Sequence, residues 1–68
     1  MTREYKAIVE RGEGGELVAF VPGLRGGHTQ GLTLDDLRAN LIEVVSRCRE
    51  ESGDTGDFRL ELVVVDRD

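Results

Sequence analysis

The stretch from Val21 to Leu41, VPGLRGGHTQGLTLDDLRANL, constrains the fold of this chain more than any other part of it. Pro22 has no amide hydrogen to give a strand ladder, so it ends the apolar run ELVAFV before it or places it at a bulge. Gly23, Gly26 and Gly27 supply the backbone freedom that tight turns require. Thr33, followed three residues later by Asp36, reads as a capping box with Asp in the place of Glu, and so marks a helix start. A strand must therefore stop, turn through glycines and hand over to a helix in quick succession. Between turn and cap, GGHTQG has room for one short further strand.

Leu34, Leu37, Leu41, Val44 and Cys48 carry the helix, recurring at spacings of three and four, with Val45 widening the stripe. Asp35 and Asp36 fall in its first turn and Arg47 and Arg49 near its last, each sign placed to favour the helix dipole. The spacing predicts an end near Glu51, with Gly53 as the left-handed stop. Upstream, EYKAIVE from Glu4 to Glu10 alternates Tyr5, Ala7 and Val9 against Lys6, Ile8 and Glu10, the period of a strand. Arg11 to Gly15 is a charged, glycine-rich hairpin loop, and Glu16 to Val21 is the second strand. After a polar loop from Asp54 to Asp57, FRLELVVV from Phe58 to Val65 alternates again and makes the last strand. The order is βββαβ, an α+β fold built as an antiparallel meander with one crossover helix on one face.

A helix from Leu34 to Glu51 spans about 27 Å and the last strand about 26 Å, so one helix has the length to cover one sheet face. A right-handed crossover sets the last strand beside the first and parallel to it. Tyr5, Ala7, Val9, Leu60, Leu62 and Val64 then face the helix. Ile8, Val63 and Val65, with either Phe20 and Val18 or their neighbours, are left on a face that nothing in the chain covers. A bare edge reading LELVVV invites association, so a homo-oligomer, most simply a two-fold dimer, is expected.

Sixty-eight residues make one small domain, 1–68. A domain of this size hides only about 60% of its unfolded surface and gains stability from a partner. Fourteen Asp and Glu against nine Lys and Arg leave a net charge of -5. That disfavours a domain built to grip a phosphate backbone and suits a basic protein partner. Cys48 is the single cysteine and has no internal disulfide partner. With no charged-then-apolar leader and no long apolar run, no membrane is expected and the cytoplasm is the expected compartment.

His28 is the single histidine. A metal ligand or general base is the sharper reading of it, and an exposed residue on a short edge strand the plainer one. With no second His and no Cys at ligand spacing, the plainer reading stands. Cys48 continues the apolar stripe and reads as a small buried hydrophobe rather than a nucleophile. Glu10, Asp35, Asp36, Glu61 and Asp66 are the carboxylates a two-metal site would have to gather, and their spacing gives them no reason to converge. Gly23-Leu24-Arg25-Gly26 matches the G-x-x-G that clamps nucleic-acid backbone in KH domains. Here it follows a strand and a proline in an acidic chain, and so reads as a turn. Gly12 to Gly15 lacks the Lys, Ser or Thr of a phosphate loop. No residue is assigned to catalysis, metal or cofactor, and no cofactor is expected. Ile8, Arg25, His28, Val63 and Val65 are the residues expected to meet a partner.

YKAIVE, the glycine-containing turn, ELVAFVPGL and then GHTQGLTLDDLRANL together resemble the HicB-like antitoxin domain family of the UPF0150 type. Its members typically read as a strand ending in Glu, a turn, a strand running into P-D-L-P-G-C, then T-x-G-x-T-x-E-E-A and a helix. The likeness runs from about Tyr5 to Val45 and rests most on Val21-Pro22, Leu24, Gly26, Thr29, Gly31, Thr33, Asp35-Asp36 and Asn40. Gly23 stands where Asp is common, Arg25 for Pro, Gly27 for Cys and Leu37 for Ala. The resemblance implies a partial ribonuclease-H-like fold without the nuclease's active site. It also implies an antitoxin, not an enzyme, that masks a small basic HicA-type mRNA-cleaving toxin. Full-length antitoxins of the family carry a C-terminal helix-turn-helix or ribbon-helix-helix segment. None is expected within 1–68, and so no direct DNA binding is expected. The alternatives are an orphan self-associating structural domain and a degenerate metal-dependent nuclease.

Overall fold

The structure, a computed structural model, describes residues 2–65. Its elements come in the expected order: β1 (Arg3–Arg11), β2 (Leu17–Phe20), β3 (His28–Gly31), α1 (Leu34–Ser52) and β4 (Phe58–Val64). The strands form one four-stranded sheet in the order β3-β2-β1-β4. β2 is antiparallel to both β1 and β3, and β4 is parallel to β1. The crossover accounts for this, because β3 already runs with β1 and a helix that returns the chain delivers the next strand in the same direction.

The two loops of the meander differ in their chemistry. In the first, the Gly12 N–H donates to the Glu16 carbonyl at 2.7 Å, closing the hairpin between β1 and β2. In the second, Leu24 donates to the Val21 carbonyl at 3.2 Å and Gly27 to the Leu24 carbonyl at 3.1 Å, two turns in succession. Pro22 takes the second position of the first turn and Gly23, at φ 91, the third, which is the arrangement of a type II turn. The G-x-x-G segment is therefore spent on turning the chain.

Thr33 caps α1 from an extended backbone, φ -129 and ψ 165, and its Oγ1 accepts from the Asp36 N–H at 3.1 Å. At the other end Gly53 is left-handed at φ 77. Its N–H donates to the Glu50 carbonyl at 3.1 Å, and that of Asp54 to the Arg49 carbonyl at 2.8 Å, the paired bonds of a Schellman stop.

The buried ridge of α1 is Leu37, Leu41, Val45 and Arg49, a repeat of four. This corrects the stripe expected from the sequence. Leu34 is exposed in the first turn, and Val44 and Cys48 are half-buried on the flank. Residues four apart form one continuous ridge along a helix, and that ridge is what seats on the neighbouring layer. Leu37, Leu41 and Val45 are fully buried against Ala7 and Val9 of β1, Ala19 of β2 and Val21 just beyond it. Val64 shares the register of Val9 and so points to the helix side, yet it is 60% exposed. One helix covers the middle of the sheet and leaves the flank of β4 bare.

The helix also presses close to β3. A Cβ built on Gly31 would lie 2.8 Å from the Leu37 amide nitrogen, so a side chain there has no room. Asn40 secures the same contact by donating from Nδ2 to the Gln30 carbonyl at 2.9 Å. No helix among the described residues is long and apolar enough to cross a membrane.

Candidate partner-binding face

Successive residues of a strand point to opposite sides of the sheet, so the residues between the buried ones line the face away from α1. Ile8 lies directly opposite Phe20 on β2 and Val63 on β4, and Phe20 lies opposite His28 on β3. His28, Phe20, Ile8 and Val63 thus form one row across all four strands. The next row runs Gln30, Val18 and Glu10 and ends beside Val65, whose N–H donates to the Val9 carbonyl at 2.8 Å. On the other side of the apolar row Lys6 faces Glu61 and Glu4 faces Arg59, the last pair 3.9 Å apart. Phe20 is 45% exposed, Val65 38% and Val63 36%. The result is an apolar band bordered by charged and polar side chains, with a shallow hollow at its β2–β3 end lined by Glu10, Val18, Phe20, His28 and Gln30.

Four of the five residues named from the sequence, Ile8, His28, Val63 and Val65, therefore lie on this face. Arg25 is exposed in the second loop, where its carbonyl accepts a bond from Cys48 Sγ at 3.7 Å. That bond ties the loop to the helix side, away from the row. Phe20 and Val18 are now assigned to the open face. Their placement could not be read from LVAFV, because a run that is apolar at both parities leaves its register open.

Arg49 is the residue the sequence reading placed least well. It is 6% exposed, packed beneath the loop that leads into β4. Nη1 donates to the Tyr5 hydroxyl at 3.1 Å, and Nη2 to the carbonyls of Thr55 at 3.2 Å and Gly56 at 3.0 Å. Its guanidinium carbon stands 5.3 Å from the Phe58 ring centroid and 5.9 Å from that of Tyr5, within cation–π range. The two rings meet edge to face at 6.0 Å. A signal was present, since stepping four from Val45 reaches Arg49, and an arginine stem packs as an apolar chain.

Among the described residues no group of three or more His, Cys, Asp and Glu side chains could hold a metal ion. Glu10 and Glu61 lie on the strands, while Asp35 and Asp36 lie exposed in the first turn of α1. Asp66 falls outside the described residues.

No family profile matches the chain, and no solved structure matches it. Curated relatives do. A UPF0150 protein of Synechocystis sp. is 39% identical over 49 residues, covering 72% of this chain and 71% of the relative. A UPF0150 protein of Thermotoga maritima is 41% identical over 67 residues, covering 91% of this chain and 89% of the relative. Identity at that level over most of both chains shows that this protein belongs to the UPF0150 family.

Proposed function

We propose that this chain is an antitoxin-type protein-binding module that masks a small basic HicA-type mRNA-cleaving toxin in the cytoplasm, and that it performs no catalysis itself. The observation that carries the reading is the row of Phe20, Ile8 and Val63, adjacent across three strands on a face that none of the described elements covers. Apolar anchors of this kind supply affinity once water leaves them. The net charge of -5 favours encounter with a basic partner. Membership of the UPF0150 family supports the same reading through its HicB-like resemblance. Masking is steric: the open face lies against the basic surface with which the toxin holds RNA.

The test is capture of the chain's partner from its native host, followed by an RNA cleavage assay. A small basic protein that cleaves RNA alone and is silenced by this chain supports the proposal. Ile8→Glu and Phe20→Glu, on the open face, should each abolish the silencing while circular dichroism stays unchanged. Recovery of nothing but copies of the chain itself would instead favour an orphan self-associating domain.

A further inference from the structure

We infer that β4 is the seam of a two-fold dimer, in which it pairs antiparallel with β4 of a second copy in a register centred on Leu60. This inference does not depend on the occupant of the open face. β4 lies at the sheet edge, and its backbone phase is fixed at both ends. Arg3 donates to the Asp57 carbonyl at 3.2 Å and Val65 to the Val9 carbonyl at 2.8 Å. In a parallel ladder alternate residues bond the neighbour, so Arg59, Glu61 and Val63 turn their amides toward β1. The N–H and C=O groups of Phe58, Leu60, Leu62 and Val64 then face outward with no strand beyond them among the described residues.

A second β4 must set its own outward residues against these, and a two-fold axis leaves few registers. Centring on Glu61 places two glutamates directly opposite each other, which is destabilising. Centring on Leu62 sets Glu61 against Val63. Centring on Leu60 sets Phe58 against Leu62 and Leu60 against its own copy on the helix side, and Arg59 against Glu61 twice on the other. The Arg59–Glu61 pairs fall at the non-hydrogen-bonded positions, where side chains come closest.

The charge order extends beyond the seam. Within one chain Glu4 faces Arg59 and Lys6 faces Glu61. The dimer therefore carries a ladder reading Glu4, Arg59, then Glu61 and Lys6 of the second copy, alternating in sign across four strands, and its two-fold repeat. On the helix side a groove lined by Arg38, Ile42, Phe58, Arg59 and Leu60 runs along the same edge, with Ile42 42% exposed. Leu62 of the second copy, brought opposite Phe58, lies at the mouth of this groove.

Arg59→Glu and Glu61→Arg test the seam, because each sets like charges opposite one another at both ends. By sedimentation each should raise the dimer dissociation constant about tenfold or more. An equimolar mixture of the two variants restores opposite charges at both pairs and should associate like wild type. A purely intrachain role, through Glu4 or Lys6, predicts no such rescue. Should either reversal unfold the chain, the neutral Arg59→Gln and Glu61→Gln should each weaken association to a lesser degree. A monomeric wild type at high micromolar concentration would overturn the inference. So would a dimer indifferent to both reversals, or a mixture that fails to recover.

Discussion

Arg49 donates to the Tyr5 hydroxyl at 3.1 Å across forty-four residues of sequence, and so joins the last turn of α1 to β1. The same guanidinium holds the Thr55 and Gly56 carbonyls and lies against the Phe58 ring. One cation thus fastens the helix end, the loop after it and the strands on either side of the parallel seam. Carbonyl oxygens, the hydroxyl and the ring faces solvate the charge in place of water.

Arg49→Ala should destabilise the fold by about 2–3 kcal/mol, since it removes both the packed stem and the donors to two carbonyls. Tyr5→Phe, which deletes a single acceptor, should cost about 1 kcal/mol. Urea denaturation measures both. An Ala variant as stable as wild type would show that the loop carbonyls are satisfied by water.

Gly31→Ala should destabilise by about 2 kcal/mol or more, because the added methyl meets the Leu37 backbone at 2.8 and 3.0 Å and backbone cannot swing aside. Gly14→Ala is the matched control. Its methyl meets the flexible end of Glu16, and a change within about 0.5 kcal/mol is expected in thermal unfolding.

Much of this architecture was legible in the sequence, and the reasons lie in particular residues. Pro22, Gly23, Thr33 and Gly53 act through local backbone chemistry, so the type II turn and both helix caps sit where the sequence places them. Ile8 and Val63 were readable as open-face residues because the polar Lys6 and Glu10 share the parity of Ile8, and Arg59 and Glu61 that of Val63. Arg49 was legible as a core residue only in part. The i+4 step from Val45 places it on the buried ridge, but the partners that make room for its charge, Tyr5, Thr55, Gly56 and Phe58, converge only in the tertiary fold. Arg25, expected from the sequence to meet a partner as an exposed arginine, is exposed in the second loop, which its carbonyl's bond from Cys48 ties to the helix side.

Val9→Ala and Ile8→Ala should separate core from face. Val9 is fully buried, and losing its two methyls should cost about 2 kcal/mol. Ile8, on the uncovered side, should cost about 1 kcal/mol or less to the isolated fold. Chemical denaturation of the two variants at low protein concentration gives the comparison.

Thr33→Ala should remove about 1 kcal/mol by leaving the Asp36 N–H without its hydroxyl acceptor, and Thr33→Ser should retain most of it. Hydrogen exchange at the first turn of α1 should quicken in the Ala variant alone.

Asn40→Ala should cost about 1 kcal/mol and loosen β3, with faster amide exchange at Thr29 and Gly31, whose N–H groups face β2, as the readout. Its wider consequence concerns how copies can add to one another. Val21 donates to the Gly27 carbonyl at 2.7 Å, which fixes the ladder phase so that Gln30 turns its backbone outward from β3. The carbonyl exposed by that phase is the one Asn40 occupies. Of the two ends of the sheet, then, β3 is short and stoppered by its own helix, while β4 has no neighbour among the described residues. A filament needs every unit to offer two open ends, so if copies pair through β4 as inferred above, edge-to-edge growth terminates at two.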